Sequence, residues 1–594
     1  MNAAEKNTHL PILFRQDRRF FFGILALVSL INIAPMVMFH VGGDVFAHIA
    51  LNDCFSTQFW QGDLYPRWCL AGNAGLGAPF FLFYFPLPYY VLALLHPLEW
   101  LGVSPYGLLT LSCLLATFLT ACACYSWLKD MVAPGYALIA AALLLFMPYR
   151  MEMLLGRFAY AELWSMAWLP LIFKYTRRLC LDDKNAILPL AAAFALMLLS
   201  HVPCAIVGVI GSGAYLILMT GGAWLPKWRY GLSLLWGSLM VAFYLVPGAY
   251  YARFVHVENI DKTWSNVFPS LQTITHFGLW RPAIMIAVMI AATGLFIIHM
   301  LLHRRRIADG FTQHELFAWA AIAVLALFLF LPVSAPAYAL LGRLSRFVFP
   351  WRMQAIFALC ATFMLAQWMQ YLAPLRRRDT WAADMAALGA LLTLLAYFQL
   401  TIYQGGKNGR FAVLAAADVE TDPQYQPTWS DRKHFNAVYV LDRYNRRGSR
   451  SEAMAISGTG QVEVARWAWD GIALATQASN IMTVRLNQLY FPVWRAQMER
   501  GAPAILYPEP RSGQMLVDVP PGRHYITLTY AVSHAAPWLV RIANLASIAA
   551  VLLWLEKYYR AGSCVLTSRL SPVRAGGKYN KKIKKILSCN IVVI

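Results

Sequence analysis

The sequence predicts an α-helical polytopic membrane protein of about twelve transmembrane helices, with an extracytoplasmic β-sandwich inserted before the last helix. Three observations carry this prediction. Of 594 residues, 59% are hydrophobic and only 13% charged, against about a quarter charged in a soluble domain. The apolar residues gather in runs close to the roughly 20 residues that a bilayer-crossing helix needs. One late segment is polar instead, lacks such runs and alternates in short stretches. This balance excludes a soluble enzyme, a disordered chain and a disulfide-stapled secreted domain. Ten cysteines are too few for a disulfide framework. The formal net charge of +21 does not read as nucleic-acid binding, because the basic residues sit at the ends of the apolar runs, where they orient the chain.

Taken in order, the runs lie near 20–39, 104–128, 132–148, 160–176, 186–200, 203–220, 231–250, 283–302, 315–333, 353–372, 382–402 and 536–555. The first is too long, and lacks the small-residue site, for a cleaved signal peptide. The stretch 80–100 is ambiguous by hydropathy. Pro79, Pro86, Pro88 and Pro97 break it, and His96 and Glu99 suit an interfacial end. Charge parity resolves it. If 80–100 does not cross and the Arg15, Arg18, Arg19 end is cytoplasmic, then Lys129, Lys174 to Lys184, Lys227 and Arg229, Arg304 to Arg306, Arg376 to Arg378 and the tail from Lys557 all fall inside. Both termini are then cytoplasmic. The outer side receives the loops 40–103, 149–159, 201–202, 251–282 and 334–352, and all of 403–535.

The segments are therefore a cytoplasmic N-terminus (1–19), a transmembrane domain (20–402), an extracytoplasmic β-rich domain (403–535), a last transmembrane helix (536–555) and a basic tail (556–594). In the β-rich domain, alternation at Met482 to Leu486 and Tyr525 to Tyr530 is punctuated by Ser457-Gly458-Thr459-Gly460, Arg511-Ser512-Gly513 and Pro520-Pro521-Gly522. The residues from Lys578 onward are Lys-, Ile- and Asn-rich, unlike the rest, and carry no functional reading.

The chemistry-bearing residues lie in the outer loops. Asp44 and His48, in the stretch Gly43 to His48, share a face if the segment is helical. Asp44 has two readings, a general base for a hydroxyl or the N-cap of the next helix. Asp53 follows. Arg67 can meet a lipid phosphate or anchor to headgroups. The glycines at 72, 75 and 77 allow close packing over the membrane surface. Cys54 and Cys69, both on the oxidising side, can pair. Arg157 and Glu162 form either a structural ion pair or a phosphate and hydroxyl site. His201 ends a helix as a cap or contacts substrate. Arg343, Arg346 and Arg352 run against the positive-inside bias, and either a bidentate phosphate or snorkelling to the headgroups offsets that penalty. The loop 251–282, with Trp264 and Trp280, reads as an interfacial belt or a sugar platform.

The motifs GDVFAH (43–48), GDLYPRW (62–68), FYFPLPYY (83–90), GRFAYAELW (156–164) and FPWR (349–352) resemble those of membrane glycosyltransferases of the GT-C architecture. More closely, they resemble the bacterial membrane proteins labelled pyruvoyl-tetrahydropterin-synthase-related, over about residues 20–555. No pterin site accompanies the likeness. The resemblance implies transfer of a sugar from a polyprenyl-phosphate donor to a glycan, lipid or protein acceptor at the outer leaflet. Its implied catalytic residues are Asp44, His48 and Glu162. Its implied substrate-binding residues are Asp53, Arg67, Arg157, His201, Arg346 and Arg352. A divalent metal ion, if used, falls to Asp44 and Glu162. Many GT-C enzymes pair two acidic residues in the first motif, whereas this chain has Val45, with His48 and Asp53 the nearest substitutes. Membrane lipid is an expected partner and nucleic acid is not. The alternatives are a transporter or flippase of lipid-linked glycans, and a non-catalytic assembly subunit.

Overall fold

The computed structural model describes residues 18–38, 44–256, 310–340, 348–372, 427–430, 452–534 and 536–570, with a few positions between 290 and 298. They form a mostly helical bundle carrying a two-sheet unit. The helices used below are α1 (Arg18–Met38), α2 (Val45–Trp60), α3 (Leu87–Leu95), α4 (Pro105–Leu128), α5 (Pro134–Leu144), α6 (Tyr160–Ser165), α7 (Leu169–Cys180), α8 (Ile187–Ser200), α9 (Val202–Thr220), α10 (Trp224–Met240), α11 (Ala242–Tyr251), α12 (Gly310–Phe330), α13 (Met353–Leu372) and α14 (Pro537–Leu570). Proline opens many of them, where its missing N–H costs nothing. Pro105 does so in α4, with Ser104 Oγ accepting from the Gly107 N–H at 3.1 Å.

Length and composition make five helices able to cross a membrane: α1, α4, α9, α12 and the first part of α14. The number rises to seven if each of two bent pairs counts as one span. Among the described residues, then, five to seven spans meet that length and composition, fewer than the about twelve expected for the whole chain. The run 160–176 is not one helix, because α6 stops at Ser165 and α7 restarts at Leu169 with Pro170 in its first turn. The run 231–250 breaks at Val241, where the chain bends by 75°, and α5 bends by 46° into Pro148–Gly156. α13 is long but carries Gln354, Gln367 and Gln370. The runs 283–302 and 382–402 fall largely outside the described residues. The stretch 80–100 forms a nine-residue α3 followed by a 3-10 turn at His96–Leu101, far short of a span.

Successive helices alternate between two ends of the bundle. One end joins Arg177 to Glu315 (2.7 Å), Arg178 to Asp130 (3.4 Å) and Arg229 to Asp182 (2.5 Å). The other end holds Asp44, Arg157, Glu162, His201 and Arg352, and it is the end at which the two-sheet unit docks.

That unit comprises β1 (Ala453–Ser457), β2 (Gly460–Ala468), β3 (Gly471–Ala478), β4 (Met482–Leu489), β5 (Trp494–Gln497), β6 (Pro503–Ala504), β7 (Leu506–Pro508), β8 (Gln514–Val519) and β9 (Gly522–Tyr530). The sheets run β1-β4-β8-β7 and β2-β3-β9-β5-β6, and every neighbouring pair is antiparallel. Ile472, Leu474, Met482, Val484, Leu486, Val517, Ile526 and Leu528 meet between them as one core.

The first loop fastens this sandwich to the bundle. Trp68 is buried against Phe491, Trp494 and Tyr530, and its Nε1 donates to Gln488 Oε1 at 2.9 Å. The Leu489 N–H donates to the Leu76 carbonyl at 2.6 Å. Gly77 has φ +80°, and a Cβ there would stand 2.1 Å from Gln488 Oε1. Of the three loop glycines, Gly77 is therefore the one packed tightly against the sandwich. Cys54 and Cys69 are disulfide-bonded, which ties α2 to the same loop.

Candidate functional site

Glu162 is the hub. It lies in the first turn of α6, is 3% exposed, and is gripped by two arginines, one 5 and one 190 residues away along the chain. Arg157 Nη2 donates to Oε2 at 2.9 Å, and Arg352 Nε donates to Oε1 at 2.5 Å. The Tyr149 hydroxyl donates to Oε2 at 3.3 Å. Arg352 is delivered by the 3-10 turn Pro350–Arg352, and its guanidinium lies over Phe349, which stacks on Trp351. Arg157 follows a π-turn at Glu152–Gly156, and Phe158 next to it has φ +53°. Such a π-turn and a left-handed non-glycine residue store strain that surrounding structure must hold.

Asp44 joins this cluster through the backbone, its N–H donating to the Arg157 carbonyl at 3.1 Å. It precedes α2, yet its side chain makes no capping hydrogen bond. The carboxyl keeps an open face to solvent. Surrounding protein raises its pKa above the ordinary 3.8; the Arg157 charge pulls it down again and Glu162 pushes it up. A carboxyl so placed can take a proton from a neutral hydroxyl. Arg157 has 35% of its side chain exposed.

His48 is buried in an aromatic box of Tyr84, Tyr89, Phe158 and Tyr160. Its Nδ1 lies 2.6 Å from the Tyr89 hydroxyl. Burial lowers its pKa to about 3, so the ring is neutral and packs the floor of the site.

His201 caps α9, its Nδ1 accepting from the Cys204 N–H at 3.2 Å, and stacks edge-on to Phe85. Glu162, His201 and Cys204 offer ligand atoms within 4.8 Å of one another. That set does not fit a divalent cation. Both Glu162 oxygens are held by guanidinium groups, and His201 Nδ1 is spent on the cap. Asp44 and Glu162 together face two arginines, so the cluster has no surplus negative charge for a metal.

The remaining candidates scatter. Asp53 is exposed on α2, nine residues or about 13 Å along the helix from Asp44. Arg67 lies over the Tyr65 ring at 4.3 Å, by the sandwich and at the other end of α2. Arg343 and Arg346 lie outside the described residues, as do Trp264 and Trp280. Tyr149, Cys204, Phe85 and Tyr89 belong to the site without having been singled out individually. Only the Pro-aromatic stretch 83–90 hinted at the last two.

Deeper in the bundle, Arg150 is fully buried. It donates to Asn32 Oδ1 (3.0 Å) and Thr117 Oγ1 (2.8 Å), and its Nε has no hydrogen-bond partner. Comparison with protein-family models and with curated proteins finds no match to this chain, so its chemistry is read from the site itself.

Proposed function

We propose that this chain is an integral membrane glycosyltransferase of GT-C type, moving a sugar from a polyprenyl-phosphate donor to an acceptor hydroxyl outside a bacterial inner membrane. In this reading the chain spans the membrane about twelve times with both termini cytoplasmic, and the sandwich is extracytoplasmic. The carrying observation is the convergence of Asp44, Arg157, Glu162 and Arg352, from three separate stretches of chain, at the sandwich end of an apolar bundle. Asp44 deprotonates the acceptor. Arg157 holds the donor phosphate. Glu162, because both of its oxygens are engaged, positions the two arginines and is not itself the base. His48 is likewise a packing residue rather than a catalyst. The Cys54–Cys69 disulfide supports an oxidising side for the first loop.

The test uses purified full-length protein with a polyprenyl-phosphate sugar. Asp44→Asn is expected to lower transfer by roughly 10²–10⁴-fold, the usual worth of a general base, with donor binding retained. Unchanged transfer overturns the assignment.

A second reading, a transporter of lipid-linked glycans, is favoured by the two bent helix pairs and by Arg150 in the apolar interior. It expects Asp44→Asn to leave translocation in proteoliposomes intact. A non-catalytic assembly subunit expects no phenotype from the same change.

A further inference from the structure

Arg150 carries a charge inside the bundle, outside the Asp44 cluster. Thr117, to which it donates, lies near the middle of α4, roughly 18 Å from its start, and Asn32 lies about two-thirds of the way along α1. Among the described residues no carboxylate reaches the guanidinium. A cation at such depth is expensive to keep. A methionine would fill the same space without that cost, so the donors themselves must be in use.

Those donors serve a bend. α5 ends at Leu144, and the chain turns by 46° into Pro148–Gly156. At the bend the Leu145 carbonyl accepts from Asn32 Nδ2 at 3.0 Å and from Arg150 Nη1 at 3.5 Å. The same Nη1 donates to Asn32 Oδ1 and Nη2 donates to Thr117 Oγ1. One planar fork thus joins α1, α4 and the bend, a geometry that the compact ammonium of a lysine does not reproduce.

The segment so held is the one that builds the site. Tyr149, next to Arg150, sends its hydroxyl to Glu162. The π-turn closes with the Arg157 N–H on the Glu152 carbonyl and the Ala159 N–H on the Met153 carbonyl, both at 2.8 Å. The Arg157 carbonyl then receives the Asp44 N–H. The α1 side of the chain is therefore tied to this segment twice, at Asn32 through the Arg150 fork and at Asp44 through the Arg157 carbonyl. A π-turn followed by Phe158 at positive φ keeps its shape only where its surroundings over-determine it. The fork supplies such a hold from beneath.

We propose that Arg150 is a positioning residue, whose fork fixes segment 148–158 against α1 and α4 and so sets the register between Asp44 and Arg157. It acts only through that backbone. Its kinetic consequence rests on the proposed transfer reaction, whereas its geometric consequence is readable without a substrate.

The test is amide hydrogen exchange of the full-length protein in nanodiscs, read by mass spectrometry, for the parent, Arg150→Met, Arg150→Lys and Thr117→Val. Arg150→Met is expected to speed exchange in peptides covering 44–48 and 157–160 by about tenfold or more, the worth of hydrogen bonds from a charged group. Exchange in the β3–β9 pair of the sandwich stays as in the parent, and the melting temperature is unchanged or raised, because an uncancelled buried charge has gone. Thr117→Val withdraws one acceptor and is expected to speed the same peptides about threefold. Arg150→Lys, which keeps the charge and part of the donor set, restores part of the protection. In the transfer assay Arg150→Met is expected to lower kcat by about 10²-fold with KM nearly unchanged. Parent-like exchange at 44–48 in Arg150→Met and Thr117→Val overturns the proposal. So does exchange that rises by the same factor in the sandwich, which marks a general loss of stability, or a raised KM with kcat intact. If Arg150→Met does not fold, Thr117→Val decides by the same local-against-uniform comparison. A parent that transfers no sugar counts against the transfer reaction, and the exchange result still decides the role of Arg150.

Discussion

Glu162 takes a guanidinium on each oxygen, and its charge is also felt at Asp44. Glu162 raises the Asp44 pKa and Arg157 lowers it. Glu162→Gln removes the raising charge and leaves Arg157 less neutralised, so both changes push the Asp44 pKa down. The acid limb of the transfer rate against pH is therefore expected to move to lower pH in that variant. Measuring kcat/KM across the acid range checks it, and an unmoved limb separates Asp44 from the titration. His48 makes the opposite kind of statement, about stability. Its folded pKa is depressed to about 3 from 6.5, so the unfolded chain binds a proton first. The stabilisation is full above pH 6.5 and is lost as pH falls toward 3, at most roughly 5 kcal/mol. Melting curves over that window should show the loss, and His48→Gln should flatten it.

At the scale of elements, the loop between α2 and α3 is built around the approach of Gly77 to Gln488 and Trp68. A methyl at Gly77 meets Gln488 Oε1 at 2.1 Å and the Trp68 ring at 2.6 Å, on backbone that disfavours side chains. Gly77→Ala is expected to destabilise the docked loop by about 2 kcal/mol or more, read as a lower melting temperature and faster proteolysis within 61–78. Elements whose pattern is local were legible in the sequence. The turns Ser457 to Gly460, Arg511 to Gly513 and Pro520 to Gly522 each join strands of the sandwich, because alternation and turn chemistry act over a few residues. The stops at Ser165 and Val241 were not legible, since hydropathy does not register a bend between two apolar helices. Nor was the grip of Arg352 on Glu162, 190 residues apart; their spacing along the chain carries no trace of that contact. Arg150 looked like a loop residue, and only the bent segment after Pro148 turns it into the interior.

For the whole molecule, alternation of the helices groups the Arg177, Arg178 and Arg229 pairs at one end and the Asp44 cluster with the sandwich at the other. If the latter end is outside, an impermeant maleimide applied to intact cells should label Cys54 and Cys69 only after a reductant has opened their disulfide. Labelling that requires lysis as well would invert the topology. Closing this fifteen-residue separation contributes about 3 kcal/mol in the chain-entropy account, so Cys54→Ser should lower the melting temperature. The last helix completes the bundle. Trp236 Nε1 of α10 donates to the Ala550 carbonyl at 3.0 Å, the Phe243 N–H donates to Ser547 Oγ at 2.9 Å, and Trp554 Nε1 donates to the Leu188 carbonyl at 2.9 Å. Trp236 and Ala550 are 314 residues apart. At ribosomal speeds of about 5–20 residues per second, the flank of α10 is born bare and waits roughly 15–60 s for its cover, an interval in which lipid or an insertion chaperone must shield it.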